Sequence, residues 1–172
     1  DWAVMIHIGE LRDSTLVAYP LAPNRRILCA SPAYLASRGT PKVPADLLQH
    51  SCLHYRFPSS GKLESWALPQ AAGEPELQLP VSMICNNIET RTCFALQGLG
   101  IACLPDFAIR EPLADGRLVQ VLAGQVERTN VFHVLWPASK HASPKVRALV
   151  DFLCARVFAP AKAPKAVGRS GR

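Results

Sequence analysis

The sequence has no run of ~18 or more apolar residues, so no membrane-spanning helix is expected. It has no G-x-S-x-G elbow and no CxxC pair. Its start, DWAVMIHIGEL, lacks an initiator methionine, a basic n-region and a small-residue cleavage site. It does not read as a signal peptide, and a strand-like run begins almost at once. The chain therefore reads as a piece cut from a longer one. No internal repeat is present.

What is present is an ordinary soluble composition. The 172 residues are 49% hydrophobic and 19% charged. They suit one domain or two small lobes and can bury a core without staples. The net charge of +6 suggests nucleic acid at first sight. Four of those charges, Lys162, Lys165, Arg169 and Arg172, sit in a tail with no acid, so +2 remains over residues 1–158. Those residues alternate in sign without a basic stripe, which argues against DNA binding by this segment alone. Cys29, Cys52, Cys85, Cys93, Cys103 and Cys154 each have an apolar neighbour. Free, mostly buried thiols in a reducing cytoplasm are expected, not a disulfide framework.

Strand and helix signals alternate along the chain. WAVMIHI (2–8), TLVAYPL (15–21) and RRILCAS (25–31) read as three strands, with Pro20 placing the second at an edge or crossing position. Ser31 and Pro32 open a short helix that Gly39 stops, and Pro44 opens another. Strands are expected at 52–56, 63–68, 76–85, 99–104, 117–122 and 130–137, with a helical turn at 105–110. Ser143 caps a final helix, 143–158, whose Val146, Leu149, Val150 and Leu153 share one face. The residues beyond read as a disordered tail. The class is α/β with a mostly parallel sheet.

One stretch, NNIETRTCFALQGLGIACLP (86–105), invites a phosphate-loop reading through its Gly-Leu-Gly. The order is wrong for it. Here the glycines follow a helix and precede a strand, whereas a phosphate loop needs strand, glycines, then helix. Gly98 suits the left-handed residue after a helix, and Gly100 suits the swing into a strand. The polar start carries more chemistry. Asn86 or Asn87 can cap the helix, and Asn86-x-x-Glu89 resembles a capping box. A helix start at the carboxyl end of a strand favours an anion. Pure capping is the competing reading.

The segments ASPAYLASRGTPKVPADLLQHSCL (30–53), Trp66, the Asn-Asn pair, GLGIACLPDF (98–107), DGRLVQVL (115–122) and SPKVRALVDFL (143–153) occur in one order and spacing. Together they resemble the effector-binding domain of bacterial LysR-type transcriptional regulators, over residues 1–158. The opening run resembles that family's third strand, often seen with Arg where this chain has His7. The resemblance implies an α/β, two-lobed, type 2 periplasmic-binding-protein-like fold with the first lobe incomplete. Residues 1–22 and 138–158 would form part of lobe I, 23–137 lobe II and 159–172 a disordered tail. It implies a small, often carboxylated effector in the interlobe cleft, lined by Gly9, Glu10, Leu11, Ser31, Asn86, Asn87, Ile88, Gly100 and Ile101. Effector binding would shift the lobes. DNA would be read only by a winged helix-turn-helix absent from this chain, and the full protein would be a homodimer or tetramer. No cofactor, metal or membrane partner is implied.

Other readings are weaker. A free-standing solute-binding protein shares the fold, but the missing signal peptide and the free cysteines argue against export. Cys52 and His54 share one side of a strand and give only two candidate zinc ligands. His7 reads as a satisfied buried residue, and Asp106 after Pro105 as a cap. No catalytic constellation converges, so an enzyme is not expected.

Overall fold

The computed structural model describes residues 4–8, 15–66, 68–69, 75, 77–125, 129–138 and 143–157. Seven strands are seen: β1 (Met5–Ile8), β2 (Leu16–Ala30), β3 (Cys52–Tyr55), β4 (Met83–Cys85), β5 (Ile101–Pro105), β6 (Val119–Gln120) and β7 (Thr129–Pro137). The α-helices are α1 (Pro32–Arg38), α2 (Ile88–Leu96), α3 (Arg110–Ala114) and α4 (Pro144–Phe152). Two 3-10 turns, Pro44–Gln49 and Asp106–Ala108, and a π turn, Leu153–Val157, complete the order. The chain forms two compact units. One takes the chain up to Pro23 and from Val131 onward, and the other takes Asn24–Asn130.

The Asn24–Asn130 unit is built on a sheet whose two faces alternate along every strand. Leu28, Ala30, Cys52, Ile101 and Cys103 face one core with Tyr34, Leu47 and Trp66. Ile27, Cys29, Leu53, Ala102 and Leu104 face the other, with Ala95 of α2, Ile109 and Leu118. Period-2 alternation of apolar residues with both faces covered gives the continuous apolar runs seen in the sequence. Helix α2 packs on β3, β4 and β5.

Strand directions fix the functional geometry. β3 pairs in parallel with both β4 and β5, while β2 pairs antiparallel with β5 and with β6. In the other unit β1 pairs antiparallel with β7. Among these pairings antiparallel ones lead, so the expected mostly parallel sheet is corrected to a mixed one. The parallel neighbours β3 and β4 are joined by the long connection 56–82, and the chain then passes from β4 through α2 to β5 on the other side of β3.

Several boundaries also differ from expectation. The two strands expected at 15–21 and 25–31 are one strand of 15 residues, carried through Pro20 and Pro23. Proline's fixed φ suits extended chain, and its missing donor matters only on a bonded side. Among the described residues, the strand expected at 63–68 appears as a single bridge, Arg56 to Leu63, and that at 76–85 as Met83–Cys85. Leu149 is 39% exposed, so the buried stripe of α4 is Val146 and Val150, continued by Leu153. Asp106 opens its turn without capping it and instead meets Arg25 at 3.3 Å. His7 is half-buried, opposite His133. The tail lies outside the described residues.

Gly98 has φ +74, the left-handed ending expected after α2. Gly100 has a different reason to be glycine. A Cβ there would lie 2.4 Å from Ser51 O, a backbone atom that also accepts from Ile101 N–H at 2.8 Å. The strand β5 can dock beside Ser51 only because residue 100 has no side chain. Gly100→Ala should lower unfolding free energy in urea by about 2–3 kcal/mol through this backbone clash. Gly39→Ala, strained by φ +86 but with nothing within 4 Å, should cost only about 1 kcal/mol.

Candidate functional site

The parallel strands β3, β4 and β5 end together. Tyr55 pairs opposite Cys85, and Pro105 opposite Arg26. At this edge the chain leaves β4 through Asn86 and Asn87 and enters α2. Asn87 is the cap: its Oδ1 accepts from Thr90 N–H at 2.8 Å. The capping box expected from Asn86 and Glu89 is therefore corrected by one residue. Asn86 and Asn87 are both exposed, and Ile88 is half-buried. The carboxyl ends of parallel strands, with a helix start among them, are where α/β sheets hold ligands.

Beneath this edge lies a buried charge cluster. Glu64 gives one carboxylate oxygen to Arg26 Nη1 and the other to Arg91 Nη1, the latter at 2.6 Å. Arg91 is 1% exposed and Glu64 6%. Arg91 belongs to α2, one turn below the cap, its N–H donating to Asn87 O at 3.3 Å. Its guanidinium sits 5.1 Å from the Tyr55 ring centroid, and its Nε has no partner. Burial lowers the pKa of both arginines. Two guanidiniums against one carboxylate leave an excess of one positive charge under the strand ends. The arrangement is suited to attract an anion and fixes the helix that would meet it.

The other expected residues fall elsewhere. Ser31 follows β2 and caps α1, its Oγ accepting from Tyr34 N–H at 3.2 Å. Ser51 N–H donates to Tyr34 Oη at 2.9 Å, and that hydroxyl lies 3.1 Å from His50 Nδ1. Gly100 and Ile101 precede and open β5, beside Ser51. The structure thus brings Ser31, Gly100 and Ile101 together, but at the starting ends of β3 and β5. Asn86, Asn87 and Ile88 lie at the finishing ends. A single strand-end site in this unit cannot hold both sets. Ile101 is also fully buried, with its N–H already bonded. Gly9, Glu10 and Leu11 lie outside the described residues.

Cys52 and His54 are buried on the same face of β3, as their alternation predicts. Among the described residues no group of three His, Cys, Asp or Glu side chains is placed to hold a metal. Burial pushes the thiols of Cys29 and Cys52 up to about 12, so neither is a nucleophile. The Arg26–Glu64–Arg91 cluster was missed from sequence. Its signal was the spacing of Ile88, Arg91 and Ala95, which puts a cation in the apolar stripe of α2 and demands a buried acid.

The family model for the LysR substrate binding domain matches residues 1–157. The chain belongs to that family. The HTH-type transcriptional regulator CrgA of Neisseria meningitidis serogroup C (strain 8013) is 35% identical over 151 residues, 87% of this chain and 50% of that protein. The chain thus spans about half the length of such relatives. The solved regulatory domain of CrgA from Neisseria meningitidis superposes with TM-score 0.75 at 34% identity, covering 89% of this chain and 74% of that one. The regulatory domain of AphB in Vibrio vulnificus does so with TM-score 0.72 at 30% identity, covering 90% and 75%. The mixed α/β, periplasmic-binding-protein-like fold and the role of effector-binding regulatory domain follow from this membership. Among the described residues no helix is long and apolar enough to cross a membrane.

Two measurements test the site's physics. Glu64→Gln should cost about 3 kcal/mol or more, since it leaves two guanidiniums without their carboxylate, and Arg91→Met should cost less, since Arg26 still pairs with Glu64. The double variant should cost less than their sum in urea unfolding. Separately, burial lowers the basicity of His50 and His54 from the usual 6.5, with Arg38 adding to the effect at His50 and Arg91 at His54, against Asp46 and the Pro80 carbonyl respectively. The unfolded chain therefore takes up protons first as pH falls below 6.5, and stability drops through that window. Asp46 and Asp115, held below 3.8 mainly by backbone N–H groups, titrate outside it. Unfolding free energy should fall between about pH 7 and pH 5, and less so in His54→Gln.

Proposed function

We propose that this domain senses a small, carboxylate-bearing metabolite at the strand ends of the Asn24–Asn130 unit. Asn86, Asn87 and Ile88 provide the contacts. The observation that carries the reading is the buried excess positive charge of Arg26 and Arg91 over Glu64, set below an exposed pair of asparagine amides at a helix start. Amide N–H donors, the α2 dipole and the buried cation all favour the same charge. Ser31 and Gly100 act from the opposite end, holding α1 and β5 in place, and Ile101 serves as core.

In the whole protein, DNA is read by a helix-turn-helix region outside this chain, in the cytoplasm, by a homodimer or tetramer. The relatives' description as HTH-type regulators supports this. The effector acts by binding one conformation of the regulator more tightly than another. The role is sensing, not catalysis.

Asn87→Asp separates ligand contact from capping. Aspartate caps a helix as well as asparagine does, so stability should hold within about 0.5 kcal/mol. A new carboxylate should repel an acidic effector. In a thermal-shift screen with small mono- and dicarboxylates, any acid that stabilises the wild type should lose at least about tenfold in affinity for Asn87→Asp, roughly one like-charge contact. Undiminished stabilisation by that acid would sink the assignment.

A further inference from the structure

A cavity lies wholly within the Asn24–Asn130 unit. Its volume is about 220 Å³, and it opens between residues 63–66 and the chain leading into β4. Leu63, Leu77, Leu79 and Val81 supply apolar walls, and His54 and Trp66 stand among them. The volume exceeds the ~150 Å³ that accommodates benzene in a dry protein cavity.

Two ring nitrogens in this wall have no hydrogen-bond partner. They are Trp66 Nε1 and His54 Nδ1, on side chains 4% and 6% exposed. Their chemistry can be assigned. His54 Nε2 lies 3.1 Å from Pro80 O, which can only accept, so Nε2 carries the proton. Burial keeps the ring neutral, which leaves Nδ1 a bare acceptor. Trp66 Nε1–H is a bare donor. The two rings stack with centroids 5.2 Å apart and an interplanar angle of 25°. Glu64 also borders the cavity, but both its oxygens are taken by Arg26 and Arg91. It offers nothing to a cation.

We infer that this cavity is a second small-molecule site, for a neutral apolar molecule carrying one hydroxyl group. Its hydroxyl donates to His54 Nδ1 and accepts from Trp66 Nε1–H, and its carbon body fills the space between Leu63, Leu77, Leu79 and Val81. Unpaired buried groups are costly, so a guest that parts the wall and pairs both nitrogens is rewarded. A phenol has the right size and the right single hydroxyl.

The test titrates phenol and benzene into the protein while the indole N–H resonances are followed by NMR. The Trp66 signal is assigned by its loss in Trp66→Phe. Phenol should shift that signal saturably and bind roughly 3- to 10-fold more tightly than benzene, the range of one or two net hydrogen bonds. Trp66→Phe, read through neighbouring amides, and His54→Gln, which keeps a donor for Pro80 O, should each reduce phenol's advantage over benzene. Asn87→Asp should leave phenol binding unchanged, which keeps this site separate from the carboxylate site. Absence of saturable shifts, equal affinity for phenol and benzene, or loss of phenol binding in Asn87→Asp would each overturn the inference.

Discussion

The Arg26–Glu64–Arg91 cluster is the constraint on which this unit turns. Three elements far apart in sequence meet there: β2, the segment after β3, and α2. A buried carboxylate between two guanidiniums satisfies both of its oxygens, so the cost of desolvation is met by charge-assisted hydrogen bonds. The Tyr55 ring takes one face of Arg91. What is not balanced is the sign, because two cations face one anion. The same contact that anchors α2 therefore also polarises the strand ends above it. The cluster sets both the seat of α2 and the charge beneath its start, and α2 could not be re-seated without altering both.

Strand direction decides which residues can cooperate. In the β4–α2–β5 crossover the start of α2 and the start of β5 lie at opposite edges of the sheet. Asn87 and Gly100 are only thirteen positions apart, yet a helix separates them. Gly100 is a docking residue, beside a backbone carbonyl. Asn87 is a terminus residue, facing out. The Gly-Leu-Gly that first suggests a phosphate loop is explained by two unrelated needs, a left-handed turn and a close approach.

Much of this was legible in the chain. Ser31 with Pro32, Ser143 with Pro144 and Gly39 announced their helices, because capping is a local interaction among near neighbours. The short apolar runs in β2, β3 and β5 announced buried strands for the same reason. The site was less legible, because it depends on pairings across 27 and 38 positions that no local pattern encodes. Strand ends failed for a related reason. LESWAL has apolar residues enough for a strand, but among its described residues one bridge forms, Leu63 to Arg56, and pairing is a property of two segments. The assignment of Ser31, Gly100 and Ile101 to the asparagines' site needed the sense of β2 against β5, which composition does not carry.

The burial of the thiols has a practical consequence. Cys29, Cys52 and Cys103 are enclosed in the core, Cys85 and Cys154 are half-covered, and Cys93 is exposed. A thiol-directed dye or spin label will meet Cys93 ahead of the others. That residue sits on α2, less than two turns from Asn87. The chain thus carries its own attachment point for an optical or magnetic reporter on the helix that Asn87 caps.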